Sequence, residues 1–319
     1  LPEIEREISP LGETLRIRHV LQVPKALAPS RWERDTELVE LPIESTITLA
    51  PGDALVRFST VVENVAADHR LRVHMAVPFA ADHVHAEGAF AMVRRAAQPD
   101  TSGEWAEQPV GTAPHQGVIA VHGDRGALLL ATRGLPEYEV LERSTGTSEV
   151  ALTLLRSTGW LSRSDIFTRP GDAGPSLPTP EGQCLGTQRF DYALAFGAGP
   201  WRELLPAARS FAVPLRTHVG PCAEGALPAT AALVEARPAA IVVSALKGAE
   251  DGRGAILRVY NDDTAPHTAE LSWRLPVQRV TRVDLAETDG QVLCQDTPCL
   301  GLNVDVPAGG IVSLRLEWA

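Results

Sequence analysis

Apolar and polar residues alternate with a period of two along most of the chain, the pattern of strands with one face buried and one exposed. In "TLRIRHVLQV" the alternation puts Leu15, Ile17 and His19 on one face and Arg16, Arg18 and Val20 on the other. It recurs in "DALVRFSTVVEN", "HRLRVHMAVPF", "GVIAVHGDRGALLLAT" and "GAILRVYN". Around these runs lie "PGD", "HGDRG", "EDGRG" and "NDDTAP", whose Gly, Asp, Asn and Pro suit tight turns. An all-β protein is predicted.

Helical periodicity is scarce. "PWRELLPAARSFA", Pro200 to Ala212, has room for about two turns, with Pro206 expected to interrupt it. The densest turn-forming stretch, Thr168 to Gly186, reads as a long loop, of the kind that tends to be functional. At Thr217 to Pro238 the alternation lapses into small residues and prolines, and a self-contained series of short strands follows. The boundary is placed near residue 220, giving a large two-sheet unit over 1–220 and a small β-sandwich over 221–319.

Composition sharpens this picture. A length of 319 residues exceeds the usual single-core size of about 250, so more than one packed unit is expected. The net charge of −11 opposes nucleic acid as a partner, since phosphate contacts need clustered Lys and Arg. Runs such as "GALLLAT" fall short of the roughly 20 apolar residues that cross a bilayer, so no membrane partner is expected. "LPEIEREISP" lacks the basic and apolar regions of a signal peptide and reads as a start within a longer protein. Cys184, Cys222, Cys294 and Cys299 do not form paired CxxC spacing. They read as free thiols of a reducing, cytoplasmic setting, with a Cys294 to Cys299 bridge as the alternative.

Candidate chemistry is thin. In "ADHVHAEG" the residues His83, His85 and Glu87 recur at every second position and share a strand face, a donor set that suits Zn or Fe. The plainer reading, solvated polar residues, is preferred, and no metal site is expected. No GxSxG, Walker loop, GxGxxG or HExxH occurs. In "ALTLLRSTGWLSRSD" Leu152, Leu154 and Arg156 are expected on one face and Thr153 and Leu155 on the other, with Trp160, Arg163 and Asp165 just past the strand. A tryptophan can stack on a sugar ring while Arg and Asp hold hydroxyl groups; a buried Trp with a structural Arg–Asp pair is the competing reading.

"GLPEYEV" followed by "ALTLLRSTGWLSRSDIFTRPGDAGPSLPTPEGQCLGTQRFDYALAFGAGPW" resembles the C-terminal β-region of glycoside hydrolase family 38, the α-mannosidases. The order of "LLRS.GWLSR", "AGP", "TPE.Q..G" and "F.YAL" carries the likeness. Supporting stretches are Asp68 to Phe79, Pro114 to Val140 and Ser244 to Asn261, so it covers most of the chain.

The resemblance implies a large galactose-mutarotase-like β-sandwich followed by a smaller C-terminal β-sandwich. It also implies a retaining, zinc-dependent enzyme acting on α-mannosides through an aspartate nucleophile. Nucleophile and zinc ligands would sit in an upstream catalytic barrel whose motifs are absent here, so no catalytic residue and no cofactor is assigned to this chain. The chain alone is expected to be inactive, and its partner to be its own N-terminal catalytic domain. Arg156, Trp160, Arg163 and Asp165 are the candidates for the rim of the sugar site. Two other classes compete. One is a stand-alone carbohydrate-binding or structural module, which six tryptophans permit but 5% aromatic content does not favour. The other is an independent enzyme of the mutarotase-like fold using His83 or His115 as acid and base.

Overall fold

The computed structural model describes residues 1–144, 146–220, 228–288 and 290–318. It divides into two compact units. One comprises Leu1–Glu87 with Val93–Arg216; the other comprises Gly88–Met92 with Thr217–Ala319.

The first unit runs β1 (Glu3–Ser9), β2 (Gly12–Pro24), β3 (Leu38–Leu49), β4 (Val56–Asn64), β5 (Arg70–Val77), β6 (His83–Glu87) and β7 (Met92–Ala96). Next come β8 (Thr112–Pro114), β9 (Val118–Gly123), β10 (Gly126–Arg133), β11 (Glu137–Ser144) and β12 (Thr147–Arg156). A two-residue pair, β13 (Asp165–Ile166) and β14 (Arg169–Pro170), precedes β15 (Gly186–Gly197) and the helix α1 (Trp201–Ala212). Nine strands form one sheet in the order β1-β2-β3-β4-β15-β10-β9-β6-β7, and β5-β12-β11-β8 form another. Among the described residues the ladders β1–β2, β2–β3, β3–β4, β4–β15, β15–β10, β10–β9, β9–β6, β5–β12, β12–β11 and β11–β8 are antiparallel, as the alternation predicts.

The two sheets enclose one core. Ile43, Val62, Ile119, Val121, Leu128 and Leu130 from the large sheet meet Val77, Tyr138, Val140, Val150 and Leu152 from the small one. Each fully buried aliphatic side chain contributes about 1.5–3 kcal/mol relative to exposure. The "HGDRG" turn closes β9 onto β10, with Gly123 and Gly126 in register.

β10 is apolar on both faces because both are covered. Leu128 and Leu130 enter the core, while Ala127, Leu129 and Ala131 alternate onto the face where α1 packs against β9, β10 and β15. Pro206 does not break α1, contrary to expectation; the helix runs unbroken for 12 residues with the proline inside it. Trp201, Leu205, Ala208 and Phe211 are buried at helical spacing, and this packing offsets the lost backbone hydrogen bond.

The second unit contains β16 (Val234–Arg237), β17 (Ile241–Gly248), β18 (Ala255–Asn261), β19 (His267–Val283), β20 (Gln291–Val306) and β21 (Ile311–Glu317). The order is β16-β19-β21-β18-β17, with β20 also on β19. Its strands are not uniformly short: β19 has 17 residues and β20 has 16. Register shifts after Ser272, Val277 and Val280 let this long pair bend, so β19 borders β16 with its first half and β21 with its second. Ala269, Leu271, Trp273, Val277 and Val280 remain in the core throughout.

Candidate functional site

A cleft of about 1120 Å³ opens at one end of the first unit, where β12 runs out into Ser157 to Asp165. Arg156, Trp160, Arg163 and Asp165 all line it, as do Asp68, His69 and Arg70 at the start of β5. Segments far apart in the chain converge here. Ser157 N donates to His69 O at 2.8 Å and Thr158 N to Gly182 O at 2.9 Å. Thr179 N donates to Gly159 O at 2.8 Å and Leu161 N to Leu177 O at 2.9 Å. The long Pro/Gly loop is thus zipped onto the Thr158 to Leu161 stretch instead of standing free. It includes a short 3-10 turn at Pro180–Gln183.

Two residues in "TPEGQ" explain that motif physically. A Cβ on Gly182 would lie 2.6 Å from Thr158 O, so only glycine permits the approach. Gln183 holds Asp68 from two sides, its Nε2 donating to Asp68 Oδ1 at 2.7 Å and its Oε1 accepting from Asp68 N at 2.8 Å. Asp68 itself sits at φ +53°, a conformation that needs such fixing.

Trp160 is about 40% exposed, with the Arg163 guanidinium 4.9 Å over its ring. Arg163 makes a two-pronged pair with Asp165, at 2.6 and 2.7 Å, and Arg31 adds a third bond to Asp165 at 2.9 Å. The Arg163 bond holds the Asp165 carboxyl below its ordinary pKa. Both Asp165 oxygens are committed to arginine, so this residue braces the stack of Trp160 and Arg163.

The strand leading into the cleft departs from simple alternation. A bulge between Thr153 and Leu155 inserts one residue, which brings Thr153 and Arg156, not Leu154 and Arg156, to a common partner. Thr153 Oγ1 donates to Glu137 Oε1 at 2.7 Å, and Arg156 Nη1 to Glu137 Oε2 at 2.8 Å. Arg70 lies 3.6 Å from Glu137 and 4.0 Å from Glu139, which also pairs with Arg72. Asp68, Arg70, Glu137 and Gln183 lie within the stretches that carry the family likeness but bear no local signal of their own; Arg31, in a loop at φ +64°, bears none either.

His83, His85 and Glu87 do share one face of β6, with Val84 and Ala86 buried on the other. That face is occupied by protein. His85 stacks on Trp201 at 4.7 Å and on His122 at 5.4 Å, and burial pushes its pKa down to about 4. Glu87 accepts from Arg209 Nε at 2.9 Å, while His83 lines a separate cavity with Arg94 and His122. The three side chains are thus engaged apart from one another, and among the described residues no group of three or more His, Cys, Asp or Glu is arranged to hold an ion. His115 is 5% exposed, edge-on to Tyr138 at 5.7 Å in the core, and cannot serve as a surface acid or base.

Residues 10–172 match the family model described as the glycosyl hydrolases family 38 C-terminal domain, and residues 240–310 match that family's C-terminal beta sandwich domain. A putative mannosylglycerate hydrolase of Halalkalibacterium halodurans is 28% identical over 230 residues, covering 72% of this chain and 24% of that protein. An α-mannosidase from Enterococcus faecalis V583 superposes with a TM-score of 0.78 at 23% identity, over 99% of this chain and 35% of that one. A second Enterococcus faecalis structure, of a protein in glycosyl hydrolase family 38, gives the same score over 36% of its length. The chain thus spans a quarter to about a third of the proteins it resembles.

Proposed function

The chain belongs to glycosyl hydrolase family 38, within its C-terminal region, and on that premise we propose that it is the non-catalytic β-portion of a retaining, zinc-dependent α-mannoside hydrolase. It packs on the catalytic barrel and completes the rim of the sugar site through the Arg156 to Asp165 segment. One observation carries this reading. Two stretches that bear the family likeness, Asp68–Arg70 and Arg156–Asp165, line a single cleft, and a third, Thr179–Gln183, is hydrogen-bonded to both, although core packing alone would not require polar side chains there. In it Trp160 presents an apolar ring face and Arg163 a fixed guanidinium, the pair of surfaces that a sugar's CH face and hydroxyl groups require.

Around the cleft, Trp32, Leu161, Phe167 and Leu177 are exposed, which supports a further protein surface closing over this end. Zinc would be held by the catalytic barrel and would polarise the sugar there; the residues of this chain would position the substrate and exclude water. Cys184, Cys294 and Cys299 are free thiols, in keeping with a reducing, cytoplasmic setting, while Cys222 lies outside the described residues. Among the described residues no helix is long and apolar enough to cross a membrane. The test is hydrolysis of an aryl α-mannoside by the 319-residue chain with added zinc. The chain alone is expected to give no turnover; turnover that a chelator abolishes would contradict the assignment.

A further inference from the structure

Arg70 and Arg156 stand directly opposite each other in the β5–β12 ladder. Like charges in that position repel, and strands ordinarily avoid them. The neighbourhood does not neutralise the pair. Three guanidiniums, of Arg70, Arg72 and Arg156, are served by two carboxylates, of Glu137 and Glu139. Arg70 approaches these acids only at 3.6 and 4.0 Å and, among the described residues, makes no side-chain hydrogen bond, so its N–H donors are unspent. Arg156 gives Nη1 to Glu137 and keeps its side chain 60% exposed. Both line the cleft. The protein as a whole carries a net charge of −11, so this local cationic excess does not follow from composition.

We propose that Arg70 and Arg156 form a clamp for a small oxyanion, a carboxylate or phosphate group carried by the substrate, with Glu137 as the internal anion that holds the clamp when it is empty. Two guanidinium forks converging on one carboxylate are equally suited to a second planar or tetrahedral oxyanion. That the anion belongs to a glycoside rests on the reading of the cleft as the sugar rim; the clamp itself rests only on the ladder geometry.

The experiment is calorimetric titration of the 319-residue chain with inorganic phosphate and, separately, with D-glycerate, using glycerol as the uncharged control. Saturable binding of one anion or both is expected, with no binding of glycerol, and the preferred anion identifies the group recognised. Arg70→Gln and Arg156→Gln should each weaken binding roughly tenfold, the loss of one charge-assisted pair. Glu137→Gln should tighten it severalfold, because it removes the competing carboxylate, a gain that a purely structural role for Glu137 would not produce. Absence of saturable binding by either anion, or binding unchanged in both arginine variants, would overturn the clamp. Neither result touches the rim assignment, which is read from mannoside turnover in the enzyme containing this chain.

Discussion

Arg70 and Arg156 face each other across the β5–β12 ladder and share the carboxylate of Glu137, which Thr153 also supports. Three side chains from two strands thus depend on one acid from a third. Glu137→Gln should destabilise the free chain by about 1–2 kcal/mol, the range for losing a partly exposed charged partner. In that background Arg156→Gln should restore part of the loss, since it relieves the repulsion. Urea unfolding of the two single variants and the double variant measures this; no recovery in the double variant relative to Glu137→Gln would show that the arginines do not repel each other.

Gly182 sets the approach of the long loop to the cleft. Gly182→Ala forces a Cβ to within 2.6 Å of Thr158 O, so the Thr158–Gly182 hydrogen bond must break or the loop must shift. A loss of about 1–3 kcal/mol is expected, typical of steric strain at a special backbone position. The denaturation midpoint should fall, and the amides of Thr158 and Thr179 should exchange faster with solvent. An unchanged midpoint would mean that the strap contributes nothing.

How far these features could be read from sequence depended on their range. Period-two alternation is local, so the strands and the "HGDRG" hairpin were legible. The packing of α1 was not, because Pro206 is a local breaker while the stripe of Trp201, Leu205, Ala208 and Phe211 that overrides it acts through contact with distant strands. The bulge near Leu154 likewise left no mark in a run of leucines, yet it decides that Thr153 and Arg156 meet the same carboxylate. Arg156, Trp160, Arg163 and Asp165 could be named in advance because they are adjacent in the chain. Arg31, Asp68 and Gln183, which hold or neighbour them, come from elsewhere.

His115 gives the pH dependence a sign. Burial pushes its pKa down to about 4, and Arg95 adds to the shift. Because the unfolded value lies near 6.5, the unfolded chain takes up the proton first. The stabilising contribution of the neutral ring is complete above about pH 6.5, declines as pH falls toward about 4, and is absent below that. The full loss is at most about 3 kcal/mol. His115→Phe should flatten the stability profile within this window; an identical slope would exclude His115 as its source.

Zinc offered to the chain should find no site on β6. Glu87 is paired with Arg209, and the His85 ring is stacked on His122 and Trp201, so recruiting both to one ion would undo the docking of α1. Calorimetry with zinc chloride should show no saturable binding that depends on these residues. A site lost together in His83→Ala and Glu87→Ala would contradict this.

Whether the cleft completes a mannoside site, as proposed, is read from steady-state kinetics of the enzyme containing this chain with Arg163→Ala. The substitution removes the guanidinium over Trp160 and leaves the two buried cores untouched. A fall in kcat/KM for α-mannosides of roughly tenfold or more is expected, the loss of one charge-assisted contact, with the thermal midpoint nearly preserved. Unchanged kcat/KM in a folded variant would place the cleft outside the sugar site.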